Sequence, residues 1–296
     1  MGVVNKVLLT GANGFLGSRI LKQLIIDGYE PVILLRENSD KRRIEGVLSK
    51  VSVIYLDDDR SNLRETFDLF NITSIIHTAT DYGRGKSLWE ILDVNVIFPI
   101  QMIEFGVKRG LTSFINTDSF FAKPKFNQSY LNNYTNSKRI IETALKSLSS
   151  QVSIQNVRLE HIYGEQDADS KFVTSVFNQL QANVSELLFT EGNQKRDFLY
   201  VDDAAKAFIT ILENHNKEVP YKEYQIGNGE SISVRSFVEL MAQNTGSCSV
   251  LNFGAISSRN GDIEDSFADL SEISKLGWAP KFSVSEGINE MIKNNK

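Results

Sequence analysis

Thiols are nearly absent: the one cysteine, Cys248, excludes an intrachain disulfide and any zinc site built on several thiolates. Histidine is scarce as well, with only His77, His161 and His215 scattered along the chain, so no metal centre is expected. No apolar run exceeds the length of a strand, which predicts no membrane-spanning helix. The start, MGVVNKVLLTG, lacks a long apolar signal segment, and Lys6 stands where a myristoylation signal wants Ser or Thr. An excess of positive charge is missing too. Lys and Arg number 32 against 37 Asp and Glu, and the net charge of -5 disfavours nonspecific binding to nucleic acid. What the chain does have is 296 residues, 41% of them hydrophobic, enough to bury a full core in one large domain or two modest ones. The expectation is a cytoplasmic globular protein with neither nucleic acid nor membrane as partner.

Through the first half, short apolar runs alternate with amphipathic stretches. Residues 4–9, 31–35, 51–56, 74–77, 113–116 and 154–159 read as strands, while 15–27, 40–49, 61–70, 87–109, 131–149 and 170–182 carry helical spacing. That rhythm predicts an α/β protein built of βαβ units, a doubly wound parallel sheet covered on both faces. After Gly164 the rhythm loosens, with strands at 187–190 and 224–226 and helices near 201–213, 233–244 and 269–276. The division expected is 1–163 plus roughly 197–227 as the first lobe. Residues 164–196 plus 228–296 form a smaller, discontinuous C-terminal lobe.

The segment Thr10-Gly11-Ala12-Asn13-Gly14-Phe15-Leu16-Gly17 joins the first strand to the first helix. Gly11 allows the tight turn, Gly14 lets backbone amides approach a pyrophosphate, and Gly17 lets the helix pack closely on the strand. The helix N-terminus then meets the phosphates with free N–H groups and its positive dipole end. At the first βα junction of a βαβ series this is a Rossmann-type dinucleotide site. Binders of NAD usually end the second strand with Asp or Glu for the ribose 2′-OH, whereas here Leu35 is followed by Arg36, with Lys41, Arg42 and Arg43 nearby. A guanidinium takes a 2′-phosphate that a carboxylate repels, so the cofactor expected is NADP(H). Arg43 reads as part of a solvated helix face. Asp57, after the third strand, suits the adenine amino group.

A second motif, Tyr134-Thr135-Asn136-Ser137-Lys138, places a phenol and an ammonium on one helix face. A phenol titrates near ~10, and a close cation lowers that value. The spacing Gly-x-x-Gly-x-x-Gly together with Tyr-x-x-x-Lys resembles the extended short-chain dehydrogenase/reductase family over essentially the whole chain. The resemblance implies Tyr134 and Lys138 as the catalytic pair. It also implies a hydroxyl after the fifth strand, within Asn116-Thr117-Asp118-Ser119-Phe120-Phe121. Thr117 is preferred, with Ser119 the alternative. The corresponding Thr-Asp-Glu of nucleotide-sugar dehydratases ends here in Ser119, which is too weak a base for that elimination.

The resemblance further implies cofactor contacts from Gly11, Asn13, Gly14, Phe15, Leu16, Gly17, Arg36, Asp57, Ala79, Thr80, Tyr134, Lys138 and His161. His77 reads as a packed structural histidine. Arg158-Leu-Glu-His161-Ile-Tyr-Gly164 matches a family segment near the nicotinamide and sugar. Lys171, Phe172, Arg196 and Arg259 are the substrate-binding candidates, the two arginines as phosphate clamps. Asp202 and Asp203 read as helix N-caps. Within the family, residues 116–121, 158–164, 213–227 and 253–256 are similar to enzymes that reduce the C4 ketone of CDP-linked 3,6-dideoxyhexoses for O-antigen assembly. That likeness implies an NADPH-dependent ketoreductase acting on a nucleotide sugar, with a homodimer as the assembly to expect. A nucleotide-sugar 4-epimerase retaining NAD is the nearest rival, and a non-catalytic NADP-binding sensor is the rival from another class.

Overall fold

The computed structural model describes residues 6–126, 130–214, 218–259 and 261–295; His215 lies outside them. β1 (Lys6–Thr10), α1 (Phe15–Ile26), β2 (Glu30–Arg36), β3 (Ser52–Leu56), α2 (Leu63–Leu69) and β4 (Ile72–His77) come first. Next are α3 (Leu88–Leu92), a π-helical turn (Asp93–Ile97), α4 (Phe98–Val107), β5 (Ser113–Ser119), α5 (Asn132–Leu148) and β6 (Ser153–Leu159). β7 (His161–Tyr163), α6 (Phe172–Gln181), β8 (Glu186–Phe189), β9 (Lys195–Arg196), β10 (Phe198–Tyr200), α7 (Val201–Asn214) and β11 (Tyr221–Ile226) follow. The chain ends with β12 (Ile232–Ser233), α8 (Val234–Thr245), β13 (Val250–Phe253), β14 (Asp265–Ser266), α9 (Ser271–Ser274) and α10 (Val284–Asn294).

Seven parallel strands form one sheet in the order β11-β6-β5-β4-β1-β2-β3. The order reverses between β1 and β4, and a crevice opens at the carboxyl ends of strands there. The β11 strand, distant in sequence, adds beside β6 in register from Tyr221–Ile154 to Ile226–Leu159. One face of the sheet is covered by Ile20, Leu21 and Leu24 of α1 with Ala204, Phe208 and Ile211 of α7. The other carries Phe67, Met102, Ile103, Ile141 and Leu145. A third core joins Phe177 and Leu180 of α6, Phe237 and Met241 of α8, and Ile288 and Met291 of α10. There Phe198 lies flat on Phe237 with centroids 3.8 Å apart, and burying a ring of this kind contributes roughly 2–3 kcal/mol.

Two helical expectations need correction. Residues 40–49 hold no α-helix, only a turn and a 3-10 helix, Glu45–Lys50. The Asp40 carboxylate accepts both the Arg42 backbone N–H (3.0 Å) and its guanidinium, and that local turn competes with helix formation. The helical spacing over 87–109 is met by Leu88–Val107, which is helical throughout, with a π-helical turn that widens its middle around the buried Asn95. Near 269–276 only Ser271–Ser274 is α-helical, and Gly277 at φ +82 turns the chain away. The sequence reading overlooked α10, whose start carries a capping box in which Ser283 and Glu286 satisfy each other's backbone N–H.

Candidate active site

The crevice at the switch point is a cleft of about 860 Å³. Its floor is the glycine loop. Gly11 sits at φ +67, and a Cβ there would come within 2.7 Å of the Ala79 nitrogen and Thr78 Oγ1. Gly17 is tighter still, since its Cβ would stand 2.0 Å from the Gly11 carbonyl oxygen. Gly14 is extended at φ -74, so it is needed for close approach and not for its backbone freedom. Gly14 is also the N-cap of α1 and supplies no side-chain cap. The first turn of α1 therefore faces the cleft with uncapped N–H groups, and the loop is a cradle a side chain would fill. Asn13, Phe15 and Leu16 line it alongside the glycines, and so do Ala79 and Thr80 across the loop after β4.

At the end of β2 the cleft wall carries Arg36, Ser39 and Arg43, with Asp57 and Asp58 after β3. Arg36 is exposed, and its backbone N–H is fixed by Ser39 Oγ at 3.0 Å. Arg43 departs from the solvated role expected of it. Its guanidinium donates to the Gln166 carbonyl (2.8 Å) and to the Asn13 carbonyl on the glycine loop (3.3 Å), which holds it over the cleft. Asp57 Oδ2 accepts from Ser61 Oγ at 3.0 Å.

At the other end of the cleft, α5 delivers Tyr134 and Lys138, both buried. Lys138 Nζ donates to the Thr117 carbonyl at 2.8 Å and lies 5.7 Å from the Tyr134 ring centroid. Burial pulls the ammonium pKa down to about 8, against the opposing pull of Asp118. The expected lowering of the tyrosine pKa is not what this geometry gives. Burial, joined by the neighbouring Tyr82, pushes the Tyr134 phenol well above its ordinary value, so it is held protonated. Two hydroxyls reach it, those of Ser119 and Thr80. Ser119 Oγ also accepts the Phe121 N–H at 3.3 Å, which caps the turn after β5. Thr117 Oγ1, by contrast, is buried and unpartnered among the described residues, and Thr117 lines the cleft.

Asn95, from the π-helical turn, ties this corner together. Its amide donates to the Asp81 carbonyl (2.8 Å) and to Ser137 Oγ (2.9 Å), while its oxygen accepts from Thr80 Oγ1 (3.2 Å) and the Asp81 N–H (2.8 Å). His77 packs edge-on to Phe98 and flat to Phe114, with Nδ1 2.8 Å from Thr10 Oγ1. Burial lowers its pKa to about 3, so it stays neutral and structural.

From the second part of the chain, His161, Lys171 and Phe172 line the cleft. His161 leans on Phe120 at 5.0 Å, its Nδ1 is buried without a partner among the described residues, and burial lowers its pKa to about 3. Lys171 Nζ sits 3.9 Å over the Tyr82 ring. The two arginines proposed as phosphate clamps are placed elsewhere. Arg196 is buried off the cleft wall, with Nη2 on Asp262 (2.8 Å) and Nη1 on the Lys195 carbonyl (2.7 Å) and the Ile263 carbonyl. Its donors are spent holding the 262–263 segment. Arg259 is exposed and lies 4.3 Å over the Tyr130 ring, off the cleft wall. Arg158 too is away from the cleft, in a buried cluster with Asp118 (2.9 Å), Glu142 (3.0 Å) and Glu223 (2.7 Å). Asp203 does not cap its own helix but accepts the Lys281 and Phe282 N–H groups at 2.9 Å each, pinning the C-terminal segment.

Two residues of this site, Asn95 and Tyr82, escaped the sequence reading, and Arg43 was given a solvated role. Arg43 could have been found only from the turn that redirects it. Asn95 and Tyr82 lie in stretches that read as plain helix and loop, and no local pattern marks them. Among the described residues no group of His, Cys, Asp or Glu could hold a metal, and no helix is long and apolar enough to cross a membrane.

A parallel sheet in this order, with a glycine loop at its switch point and unpartnered polar atoms on the cleft wall, defines a dinucleotide-binding Rossmann protein. Residues 7–227 match the NAD dependent epimerase/dehydratase family, and the chain belongs to it. It is thereby an enzyme of the extended short-chain dehydrogenase/reductase type, a family built around a nicotinamide cofactor. CDP-abequose synthase of Salmonella typhimurium is 36% identical over 97% of both chains. CDP-abequose synthase of Salmonella muenchen is 32% identical, covering 99% of this chain and 98% of its own. Among solved structures, UDP-glucose 4-epimerase from Thermotoga maritima with UDP-glucose superposes with a TM-score of 0.85 at 22% identity, over 97% of each chain. That last likeness concerns the fold.

Proposed function

We propose that the protein reduces the C4 ketone of a nucleotide-activated deoxysugar with NADPH. The substrate is then CDP-4-keto-3,6-dideoxy-D-glucose and the product CDP-abequose or its C4 epimer, in cytoplasmic O-antigen sugar assembly. The observation that carries this reading is the geometry at one end of the cleft: Tyr134 and Lys138 buried on one face of α5, the Lys138 ammonium 2.8 Å from the Thr117 carbonyl, and the Thr117 hydroxyl on the cleft wall without a partner among the described residues. A phenol so placed can hand a proton to a carbonyl oxygen that is being reduced. Full-length similarity to two CDP-abequose synthases supports the sugar and the nucleotide. A redox sensor would have no use for an intact Tyr–Lys pair.

The glycine loop and the first turn of α1 would hold the pyrophosphate, Asp57 the adenine side, and Lys138 the nicotinamide ribose. Bound there, the nicotinamide supplies the hydride equivalent for the carbonyl carbon. Tyr134 gives its proton to the oxygen that becomes the alkoxide, and Thr117 donates a hydrogen bond to the same atom as charge appears on it. The Lys138 charge stabilises the phenolate left behind until solvent returns the proton. Water elimination is disfavoured, because Ser119 carries no carboxylate; Asp118 Oδ2 is held by Arg158 and Asn156. Lys171 and Phe172 are the groups on the cleft wall proposed for the sugar nucleotide. Exposed Leu88, Ile97 and Ile140 fit a homodimer formed through the α3–α5 region.

The direct test is turnover with the CDP-linked 4-ketosugar. Nicotinamide absorbance should fall in step with ketone consumed, and added cofactor should be required. Interconversion of C4 hydroxyl sugars without absorbance change would make the protein an epimerase. Cofactor choice follows from Arg36 and Arg43, which stand on the cleft wall where a carboxylate would serve NAD. Arg36→Asp should therefore weaken NADPH and favour NADH, as read from the ratio of kcat/KM for the two cofactors. An unchanged ratio would remove Arg36 from the 2′-phosphate site.

A further inference from the structure

The neighbours of the reacting phenol divide by chemistry. Its hydroxyl is met by Ser119 and Thr80, while its ring is met by the Lys138 ammonium at 5.7 Å and by two other rings. Tyr82 lies 5.0 Å away, tilted by 32°, and Phe121 stands edge-on at 6.4 Å. Phe120 stacks on Phe121 at 4.3 Å, and both belong to the 3-10 turn Phe120–Ala122 that Ser119 caps. The same turn that leads away from the catalytic strand thus sets an apolar wall beside Tyr134. Tyr82 in turn carries the Lys171 ammonium, 3.9 Å from its centroid.

The side chains that meet the phenol hydroxyl, and the amide behind them, are already engaged. Thr80 Oγ1 donates to Asn95, Ser119 Oγ serves the Phe121 N–H and the phenol, and both ends of the Asn95 amide are occupied. Of the unpartnered atoms on the cleft wall, Thr117 Oγ1 faces the reacting oxygen in the proposed chemistry. Asp118 belongs to the Arg158 cluster, and His161 is separated from the phenol by the Phe120 stack. A sugar that places its C4 oxygen at Tyr134 must lay the flanking carbons against Tyr82 and Phe121. A hydroxyl on those carbons would lose water there and face the ring surfaces of Tyr82 and Phe121.

We infer that Tyr82, Phe120 and Phe121 form a specificity wall that selects a sugar lacking hydroxyls beside C4, that is, a deoxygenated hexose. The inference rests on the ketone-reduction reading and names the residues that set its substrate class. An apolar pocket discriminates against an added hydroxyl by roughly 10²-fold at most. The test is calorimetric titration of the cofactor-free protein with a CDP-3,6-dideoxyhexose and with CDP-glucose, paired with kcat/KM for the 4-keto forms. The dideoxy sugar should bind ~10- to 100-fold more tightly. Phe121→Ser, which opens the wall and offers a hydroxyl, should pull the two affinities together by about 5-fold or more, while Phe121→Leu retains most of the preference. Dinucleotide binding by each variant checks that it is folded. Equal affinities in the wild type, or an unchanged ratio in Phe121→Ser with dinucleotide binding intact, would overturn the wall. Binding of neither sugar nucleotide would bring down the ketone-reduction reading, and the wall with it.

Discussion

Tyr134→Phe is expected to abolish ketone reduction while leaving dinucleotide affinity nearly intact. The substitution removes one oxygen and keeps the ring packed between Tyr82 and Phe121. Loss of a positioned general acid costs roughly 10²–10⁴ in rate, and several neighbouring groups are poorly placed to take over. His77 and His161 are both held neutral by burial, with pKa values near 3, and His77 is engaged with Thr10. Asp118 is tied to Arg158 and Asn156. Lys138 is turned to the Thr117 carbonyl. Single-turnover reduction by the cofactor-loaded variant, with cofactor affinity measured separately, gives the answer. Substantial turnover would assign the proton to another donor and remove the observation on which the proposed function stands.

The parts of this molecule legible in the sequence are those fixed by local pattern. The β1–Gly loop–α1 junction is written in eight consecutive residues, and the steric demands at Gly11 and Gly17 are what its spacing implies. Six of the seven parallel strands followed from apolar runs that need burial on both faces, while β11, with the sequence YKEYQI, carries no such run. Less legible was whatever depends on contacts between distant segments. Arg196 has the chemistry of a phosphate clamp, yet Asp262, 66 residues further on, takes its guanidinium. Arg43 looked like a surface cation until the Asp40–Arg42 turn aimed it at the glycine loop. The Tyr134 pKa failed for another reason. The i, i+4 spacing supplies the nearby cation, but the cost of burying a phenolate is set by the whole site, and here it dominates.

Thr117→Val should separate catalysis from stability more cleanly than any other change at this site. In the proposed chemistry Thr117 Oγ1 is the donor to the developing oxyanion, and losing one such donor costs on the order of 3–4 kcal/mol, or about 10²–10³ in kcat. The same atom is a buried hydroxyl without a partner among the described residues. Leaving a buried polar group unsatisfied costs about 1–3 kcal/mol, and an isosteric apolar group relieves that cost. The variant should therefore be far slower yet as stable as the parent or more so, as seen in its urea midpoint. The Lys138 contact survives, since it is made to the Thr117 backbone carbonyl. Ser119→Ala should show the opposite balance. Its hydroxyl caps the turn carrying Phe121 and touches the phenol, so its loss should cost stability, with a smaller fall in kcat. If Ser119→Ala proves the slower enzyme, the oxyanion donor is Ser119, the second hydroxyl along the same strand. If Thr117→Val loses stability along with activity, its hydroxyl has a structural partner and the assignment fails.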